Sequence, residues 1–465
     1  MPSTAHPATL TEPARQTPVF GEFDVVVLGG GPAGIMAATA AARAGCRTLL
    51  VKAYGFLGGM GTAAGVTNFC GLHANVFGHI QQVVHGLADE LLGHMRALGG
   101  LNEPHLLFDG RIAAQAYDNA AFKLAADALV LGSKAQVLFH AQAVGALMRA
   151  PGEIKALLIE TKSGRQAVLG RMFIDASGDG DLTAWAGADF EKGDDSTSGN
   201  AMMYPSTMFR IHGVDAARAG DAWNHFDPLM ARAERDGLRF ARKAPIIRPQ
   251  KNPAEWRANV TQLANADGSP VDGTDARQLS AAEVQGRQQI AQFMTFLRSY
   301  APGFENAYLL EIAPQVGVRE TRRVLGDYQL TETDVLQCAS FDDSIGVNGW
   351  MVEDHVAGDV QFRFADIPQV RGFNHLPWRM LLPRGQSNLL VAGRCASMTH
   401  GGQSAARVSG GCFVMGQAAG TGAALALQAG VSPRQIDVAA LQARLRHEGT
   451  YLGLDGIGKL DAPIQ

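Results

Sequence analysis

The sequence lacks closely spaced cysteines. Five occur, far apart in the chain: Cys46, Cys70, Cys338, Cys395 and Cys412. They form no CxxC, CxxxxC or Cys/His pattern, which argues against a cysteine metal site, an iron–sulfur cluster and disulfide exchange. The odd number and wide spacing indicate a reducing compartment, and the first twenty residues lack the apolar core of a signal peptide. We therefore expect a cytoplasmic protein in which residues 1–20 form a flexible N-terminal tail.

The sequence also lacks an excess of charge. Forty Lys and Arg residues stand against 44 Asp and Glu, for a net charge of −4, and no basic stripe is present. This composition argues against a nucleic-acid partner. Residues 25–42 and 411–429 are apolar enough to resemble membrane spans, but the first is interrupted by Gly29 to Pro32 and the second is rich in glycine without a basic flank. We expect no membrane span.

Glycine, by contrast, is abundant, at 55 of 465 residues or about 12%, against roughly 7% in average proteins. This abundance indicates that backbone segments, or a ligand and the backbone, approach closely at several places.

A chain of 465 residues is longer than a single hydrophobic core usually accommodates. Its length therefore predicts two domains, consecutive or interleaved.

The first glycine cluster follows a predicted strand. Residues 23–28 form a β-branched run, residues 33–44 an alanine-rich helix and residues 47–51 a second strand, which together predict a βαβ unit. The connecting GxGxxG turn indicates a dinucleotide site, because Gly29 permits the turn, Gly31 admits a pyrophosphate and Gly34 allows close helix packing. Pro32 and Ala33 complete this predicted binding loop.

Two features follow this unit. An acidic residue is expected at the end of the second strand, to hold the adenosine ribose, but Lys52 stands there. Four interpretations of Lys52 remain open: the ribose is held by backbone or water, the lysine contacts a phosphate, nucleotide binding is weaker, or the lysine is a solvated surface residue.

The second feature is another glycine-rich loop, which favours flavin over NAD as the cofactor. The alternative is that this loop is an ordinary connection. Its predicted cofactor contacts are Leu57, Gly58, Gly59, Met60 and Thr62.

Two later segments complete the predicted cofactor site. A strand ends in a small-residue turn at Ala176, Ser177, Gly178 and Asp179, which we expect to pack against the nucleotide; the spacing of Asp179 and Asp181 does not fit an EF-hand. A Gly393-Arg394 turn precedes a glycine-rich helix whose N-terminus could face the flavin, the alternative being tight helix packing. The remaining predicted contacts are Ala143, Gly416, Gln417 and Ala418.

Together these motifs resemble the FAD-dependent oxidoreductases of the glutathione-reductase-like superfamily, and more closely the bacterial members related to fumarate reductase flavoproteins. The resemblance extends over residues 23–429. It rests on DVVVLGGGPAG, YGFLGGMGT, IDASGDGDLTAWAGA, GVRETRRVLGDYQLTETD and NLLVAGRCASMTH…ARVSGGCFVMGQAAGTGAALAL. It implies FAD held by the two glycine loops, the aspartate-rich turn and the GQAAG helix. The chain departs from the family at Lys52 and, mildly, at Ser177, where threonine is usual.

The expected fold class is α/β. A Rossmann-like FAD-binding domain, with a parallel sheet and helices on both faces, spans residues 21–190 and 376–465. A mixed α+β substrate domain, rich in aromatics and arginine, is expected to be inserted at residues 191–375.

The chain has one credible GxGxxG, so electrons are expected to come from the substrate itself. The predicted reaction is hydride transfer from a small organic molecule, at a C–H next to a hydroxyl, amine or other activating group, to flavin N5, with reoxidation by oxygen, quinone or another acceptor. The alternatives are a monooxygenase that uses NAD(P)H and a redox-inactive nucleotide-binding scaffold. The WxWxIP signature of flavin halogenases is absent.

The candidate catalytic residues lie near the glycine motifs. His400 and His73 are candidate bases, because histidine titrates in the useful range, although most histidines in a chain are structural. Arg379 is the preferred candidate to clamp a substrate carboxylate, ahead of Arg319, Arg322 and Arg323. No metal ligands are predicted.

Overall fold

The computed structural model describes residues 9–194 and 201–454. Three pieces of the predicted segments lie outside these residues: 1–8 of the tail, 195–200 of the inserted domain and 455–465 at the C-terminal end. Residues 9–18 form no helix or strand, whereas Val19 and Phe20 of the predicted tail already belong to the first strand.

The strands and helices are numbered in chain order. The strands are β1 Val19–Leu28, β2 Thr48–Val51, β3 Asn68–Phe69, β4 His73–Val76, β5 His79–Gln82, β6 His105–Leu107, β7 Ile112–Ala116, β8 Gln136–Leu138, β9 Gln142–Ala150, β10 Glu153–Thr161, β11 Gly164–Asp175, β12 Phe190–Glu191, β13 Phe209–His212, β14 Ile246–Pro249, β15 Trp256–Asn259, β16 Tyr308–Ile312, β17 Arg323–Val324, β18 Ser344–Asn348, β19 Val352–Asp354, β20 Gln361–Arg363, β21 Asn374–Pro377 and β22 Leu389–Val391. The helices are α1 Pro32–Arg43, α2 Met60–Ala63, α3 Leu87–Ala97, α4 Asn119–Gly132, α5 Asp181–Trp185, α6 Ala216–Ala219, α7 Phe226–Arg235, α8 Ala276–Tyr300, α9 Glu332–Leu336, α10 His400–Ala406, α11 Ser409–Ala429 and α12 Val438–His447, with 3-10 turns at Ala222–Asn224, Trp378–Leu381 and Pro433–Gln435.

Five strands of the seven-stranded central sheet are parallel, in the order β8-β2-β1-β11-β22. Strands β10 and β9 extend the same sheet from β11 in antiparallel pairing. Its strands coincide with the apolar runs of the sequence, and their β-branched residues are buried because both faces of the sheet are covered. The predicted α/β class, parallel sheet and βαβ unit are therefore confirmed. Because the five strands are parallel, their carboxyl ends meet at one edge, which is where the glycine turns after β1, β11 and β22 lie together.

The two faces of this sheet are covered differently. Helices α1, α4 and α11 pack on the face that carries Val25 and Val27. The opposite face, with Val26 and Leu28, packs mainly on the antiparallel strands β9 and β10 and on the short helix α5. The expectation of helices on both faces is therefore corrected to one helical layer and one antiparallel layer. Ala143 lies in β9 within this second core.

Helix α11 lies in the interior. It is the one helix in the described part of the chain that is long and apolar enough to cross a membrane, yet 89% of its most apolar window is buried inside the protein. It packs along α1, where small residues let the two backbones approach. A Cβ atom placed on Gly416 would lie 2.1 Å from the carbonyl oxygen of Ala33, and one on Gly420 would lie 2.2 Å from that of Ala37.

A second unit with its own core is inserted between β12 and β17. Its sheet has the order β14-β15-β13-β16 and packs against α7 and α8, with a core that extends from Phe209 to Ala307. Residues 242–288 contain two of these strands and the start of α8. The second core is narrower than the predicted insertion at 191–375, because Val324 and Val347 belong to the first core.

The α1–α11 contact predicts opposite effects for two helical glycines. Gly420→Ala forces a Cβ onto the carbonyl of Ala37 and should lower the free energy of unfolding by about 1–3 kcal/mol. Gly93→Ala is the matched control, because no atom lies within 4 Å of its Cβ position in α3, and it should raise stability by about 0.5–1 kcal/mol. Denaturant unfolding of both variants checks this, and equal effects would contradict the packing described.

Candidate active site

A cavity of about 520 Å³ joins the glycine turns of the central sheet to the inserted unit. One part of its wall contains Gly29, Gly31, Pro32 and Ala33 at the start of α1. Another part comes from the inserted unit and from the segments around β19 and the start of α11. The cavity is thus bounded by both predicted domains.

The glycines of the GxGxxG turn have separate roles. Gly29 has φ +106°, and its Cβ would lie 2.2 Å from the Ala176 carbonyl oxygen, while a Cβ on Gly34 would lie 1.8 Å from that of Gly29. The protein's own packing therefore requires these two glycines. Gly31 is different, because the nearest atom to its Cβ position is 3.6 Å away. The space left there opens into the cavity at the N-terminus of α1, as close approach of a pyrophosphate requires.

The second glycine loop lies behind the first. A Cβ on Gly59 would lie 2.6 Å from the Cα of Gly31, so the two loops contact each other through backbone. Gly59 and Met60 line the cavity. Leu57, Gly58 and Thr62 hold the loop from outside the cavity: the Thr62 hydroxyl donates to the Leu57 carbonyl at 2.7 Å, and the Gly58 amide donates to the Gly30 carbonyl at 2.8 Å.

Lys52 lines the cavity beside this loop and is not a solvated surface residue. Burial lowers the pKa of its ammonium group to about 8. Its Nζ lies 4.3 Å from the centroid of the Tyr54 ring, a cation–π contact. Of the alternatives that the sequence leaves open, this position is compatible with a phosphate contact, which stays a prediction.

The aspartate-rich turn after β11 is joined to the Gly393-Arg394 turn. The buried Asp175 carboxylate accepts from the Ser177 amide at 3.1 Å, and the Asp179 carboxylate accepts from Arg394 Nη2 at 2.9 Å. Ala176, Ser177, Gly178, Gly393 and Arg394 line the cavity, whereas Asp179 stands behind it. Asp181 pairs with Arg322 at 2.8 Å, and the described residues contain no group of three acids, histidines or cysteines placed to hold a metal ion.

The GQAAG segment does not contact the cavity. Helix α11 begins at Ser409, and Val408, Ser409 and Cys412 are the residues that line the cavity at its N-terminus. Gly416, Gln417 and Ala418 lie about two turns further on, where Gly416 packs on α1 and the Gln417 side chain accepts from the Leu87 amide at 3.1 Å. These three residues therefore contribute to tight packing of the helix, which was the alternative to a flavin contact. Ala143 is also away from the cavity lining.

The three predicted catalytic residues are not brought to the cavity. His400 is buried with Nδ1 2.9 Å from Glu320 and Nε2 3.2 Å from Asp354. Burial opposes its charge, but the two carboxylates outweigh that cost and raise the pKa of His400 to about 9. His73 is buried in β4, where burial lowers its pKa to about 4.

The arginines predicted as candidates to bind a substrate carboxylate lie in different places, and most are engaged elsewhere. Arg379 is half exposed, pairs with Asp343 at 2.9 Å and lies over the Tyr328 ring. Arg323 pairs with Glu320. Of the arginines considered from the sequence as carboxylate clamps, Arg319 lines the cavity.

Sequence reasoning missed most of the polar side chains in this lining. They are Arg242, Arg248, Arg257, Asn259, Glu353, His355 and Arg407. They belong to separate loops and strands, so no local spacing reveals them. The available signal was the richness of residues 190–375 in arginine and aromatics.

Glu353 is the carboxylate held inside this lining. It accepts from the Trp350 indole at 2.8 Å and lies 3.1 Å from His355 Nε2. Burial opposes its charge, but His355, Arg407 and the indole outweigh that cost and hold its pKa well below the usual range. Glu353 is therefore ionised at neutral pH.

The open space at Gly31 predicts a selective effect on cofactor binding. Gly31→Ala should leave the stability of the FAD-free protein within about 1 kcal/mol, because its Cβ meets no atom within 3.5 Å, yet weaken FAD binding at least tenfold by filling the cradle. Gly34→Ala is the contrast, since its Cβ clash lowers stability with or without FAD. Thermal unfolding and FAD titration check both, and unchanged FAD affinity in Gly31→Ala would contradict this reading of the cradle.

The environment of His400 predicts a pH-dependent contribution to stability. Because its pKa is raised from about 6.5 to about 9, its ion pairs contribute fully below pH 6.5 and are lost as pH rises through 9. The difference in unfolding free energy between the wild type and His400→Gln should therefore shrink between pH 6.5 and 9.5. A difference that stays constant over this range would show that His400 carries no such charge.

Comparison with known proteins identifies the family. The family model described as FAD dependent oxidoreductase matches residues 24–445. No curated protein matches the chain. The fold is similar to that of a geranylgeranyl bacteriochlorophyll reductase-like protein from Thermoplasma acidophilum, with 14% identity over 92% of this chain and 84% of that chain at a TM-score of 0.46.

Two further solved structures are similar at the same level. They are anhydrotetracycline hydroxylase from Streptomyces rimosus, with 13% identity over 92% of this chain and 66% of that chain at a TM-score of 0.43, and L-proline dehydrogenase from P. horikoshii, with 12% identity over 93% and 99% at a TM-score of 0.42. Because these TM-scores are below 0.5, the similarities do not bear on the reaction. The family match extends over nearly the whole chain, and the protein is therefore a member of the FAD-dependent oxidoreductase family with FAD as its cofactor.

Proposed function

We propose that the protein oxidises a small organic molecule by hydride transfer to FAD, at a C–H next to a hydroxyl, amine or other activating group. The observation that carries this proposal is the continuity of the cavity, whose lining passes from the glycine turns to the polar side chains of the inserted unit. A cofactor and a substrate can therefore occupy one continuous space, which is what direct hydride transfer needs.

The residues that would hold FAD are those around the open cradle. The first-turn N–H groups of α1 lack partners within the helix and favour a pyrophosphate beside Gly31. The N-terminus of α11 at Ser409 would favour the negative charge of a reduced flavin. When bound, FAD supplies a two-electron acceptor.

His355 is the proposed proton acceptor. Its Nε2 lies 3.1 Å from the ionised Glu353 carboxylate, so Nε2 carries the hydrogen and Nδ1 keeps the lone pair. Burial, together with the charge of Arg319, lowers the pKa of His355 well below its usual value, so the ring is neutral before the reaction. The same shift makes it a weak base in the empty site, and an anion bound beside Arg319 would restore part of its basicity. Glu353 positions the ring, as a carboxylate does for a catalytic histidine.

The proposed reaction has a simple balance. The substrate loses a hydrogen from carbon together with its electron pair, and the proton of its hydroxyl or amine passes to Nδ1 of His355. The substrate is oxidised by two electrons, and oxygen, a quinone or another acceptor then removes them from the protein. A cytoplasmic location, a small-molecule substrate and the absence of a nucleic-acid partner remain part of this proposal.

The test of the function is the visible spectrum of the purified protein under anaerobic conditions. Small alcohols, amines and hydroxy or amino acids are added one class at a time, and NADPH is added separately. Bleaching of the flavin band by one substrate class supports the proposal. Bleaching by NADPH that depends on an organic substrate identifies the monooxygenase instead, and a protein that stays colourless after FAD is supplied is a redox-inactive scaffold.

The proposed role of His355 predicts a defect in chemistry without a defect in cofactor binding. In His355→Gln the amide still donates to Glu353 but cannot accept a proton. The rate of flavin reduction at saturating substrate should fall by about 10²–10⁴-fold with FAD content unchanged. His212→Gln is the control, because His212 lies on β13, contacts Tyr308 and is outside the cavity lining. Equal rates in wild type and His355→Gln would remove His355 from the mechanism.

A further inference from the structure

Four arginines form one charged surface inside the cavity, which we call the arginine wall: Arg242, Arg257, Arg319 and Arg407. The first three are almost fully buried, at 3%, 8% and 7% exposure. Three come from the inserted unit or its borders, and Arg407 follows α10. Buried guanidinium groups without a counter-charge are costly, so their collection on one wall calls for a physical reason.

Two of the four converge on a single oxygen. The Asn259 side-chain oxygen accepts from Arg242 Nη1 at 3.1 Å and lies 3.3 Å from Arg319 Nη2. Arg319 also donates to the Tyr204 carbonyl at 2.7 Å and to the Ser206 hydroxyl at 2.9 Å, which fixes its plane. Asn259 therefore holds two positive groups side by side in defined orientations.

The wall retains unused donors. Nε and Nη2 of Arg242, and Nε and Nη2 of Arg407, are buried and have no hydrogen-bond partner among the described residues. Adjacent Nε and Nη2 atoms are the pair that binds a carboxylate bidentately. Arg242 thus combines deep burial, a position on the cavity wall and an unpaired Nε–Nη2 edge.

The local charge is also unbalanced. The lining contains two acids, the exposed Asp227 and the largely buried Glu353, whose two oxygens are engaged by Trp350 and His355. Burial, followed by the charges of Arg407 and Arg242, lowers the pKa of Arg319 well below its usual value, and burial lowers that of Arg242 to about 10. The guanidinium groups repel one another, so a bound anion would offset a repulsion that the protein's own residues leave in place.

We propose that the substrate is a small organic acid whose carboxylate binds the unpaired Nε–Nη2 edge of Arg242 within the arginine wall. That the bound acid is the substrate, and not merely a ligand, rests on the proposed function. It narrows the substrate to molecules that carry a carboxylate near the oxidised carbon. The same donors suit a phosphate group, and the experiment separates the two chemistries.

The test uses the full chain loaded with FAD, so that the cofactor's own phosphates already occupy their site. Acetate, malonate, succinate and benzoate are titrated at constant ionic strength while the thermal unfolding midpoint and the heat of binding are measured. Acetamide, malonamide, succinamide and benzamide serve as neutral partners of the same shape, and inorganic phosphate is titrated separately. Saturable stabilisation by at least one carboxylate and none by its amide is the expected result.

Two variants assign this binding to the wall. Arg242→Met and Arg407→Met should each weaken carboxylate binding by about 10- to 100-fold, because each removes a charged donor pair. Without ligand, Arg242→Met should change the unfolding midpoint little, because removal of a buried charge offsets the lost hydrogen bond to Asn259. Arg407→Met also removes a charge that stabilises ionised Glu353, so ligand-induced shifts are measured from each variant's own midpoint. Arg239→Gln is the control, since Arg239 is exposed and outside the cavity lining, and its affinity should match that of the wild type.

Several results would overturn the proposal. One is an equal response to acids and amides, and another is binding of phosphate alone. A third is unchanged carboxylate affinity in Arg242→Met. The last is carboxylate binding that FAD loading abolishes, which would assign the wall to the cofactor's phosphates. Failure of the proposed function can be told apart from failure of the carboxylate site. A protein that binds carboxylates through Arg242 but shows no flavin reduction would confirm the anion site and reject the proposed reaction. Conversely, flavin reduction by a neutral substrate alone would preserve the function and reject the organic acid.

Discussion

The contact between α1 and α11 is the constraint on which the site depends. Gly416 and Gly420 admit the carbonyl oxygens of α1 at distances that no side chain would allow. Gly34 in turn admits the Gly29 carbonyl, so α1 is held between the end of β1 and a buried helix. This packing fixes the N-terminus of α1 at the carboxyl edge of the parallel sheet, where Gly31 opens into the cavity. The glycine content that first distinguishes the sequence is therefore divided between helix packing and a cradle for FAD.

The second organising feature is the charge of the cavity. Lys52, Arg394 and the arginine wall place positive groups along its lining, and Glu353 supplies a single buried carboxylate that is already engaged. Such an arrangement is unfavourable for an empty protein and favourable for one that binds anions. The phosphates of FAD account for charge near the glycine turns. A carboxylate substrate would account for the charge on the inserted unit, next to the His355–Glu353 pair.

The sequence predicts the parts of this account that local patterns encode. The five parallel strands, the helices α1, α3, α4 and α11, and the glycine turns are all visible as short runs of residues. The arginine wall is not, since its members are separated by up to 165 positions, from Arg242 to Arg407, and meet only after folding. His400 and Arg379 show the converse error: proximity to a motif in sequence placed them in the site, while Glu320 and Asp354, or Asp343, hold them outside it. The antiparallel layer of β9 and β10 was missed because alternation in a half-buried strand is a weaker signal than a continuous apolar run.

The central claim is that FAD and an anionic substrate share one cavity, and the visible absorption spectrum of the FAD-loaded protein tests it most directly. An organic acid bound to the arginine wall changes the polarity around the flavin, so the difference spectrum should show a saturable shift of the flavin bands with the affinity measured by calorimetry. In Arg242→Met the same acid should give the shift only at concentrations about 10- to 100-fold higher than in the wild type. Carboxylate binding that leaves the flavin spectrum unchanged would contradict the claim, because the anion site and the cofactor would then be separate.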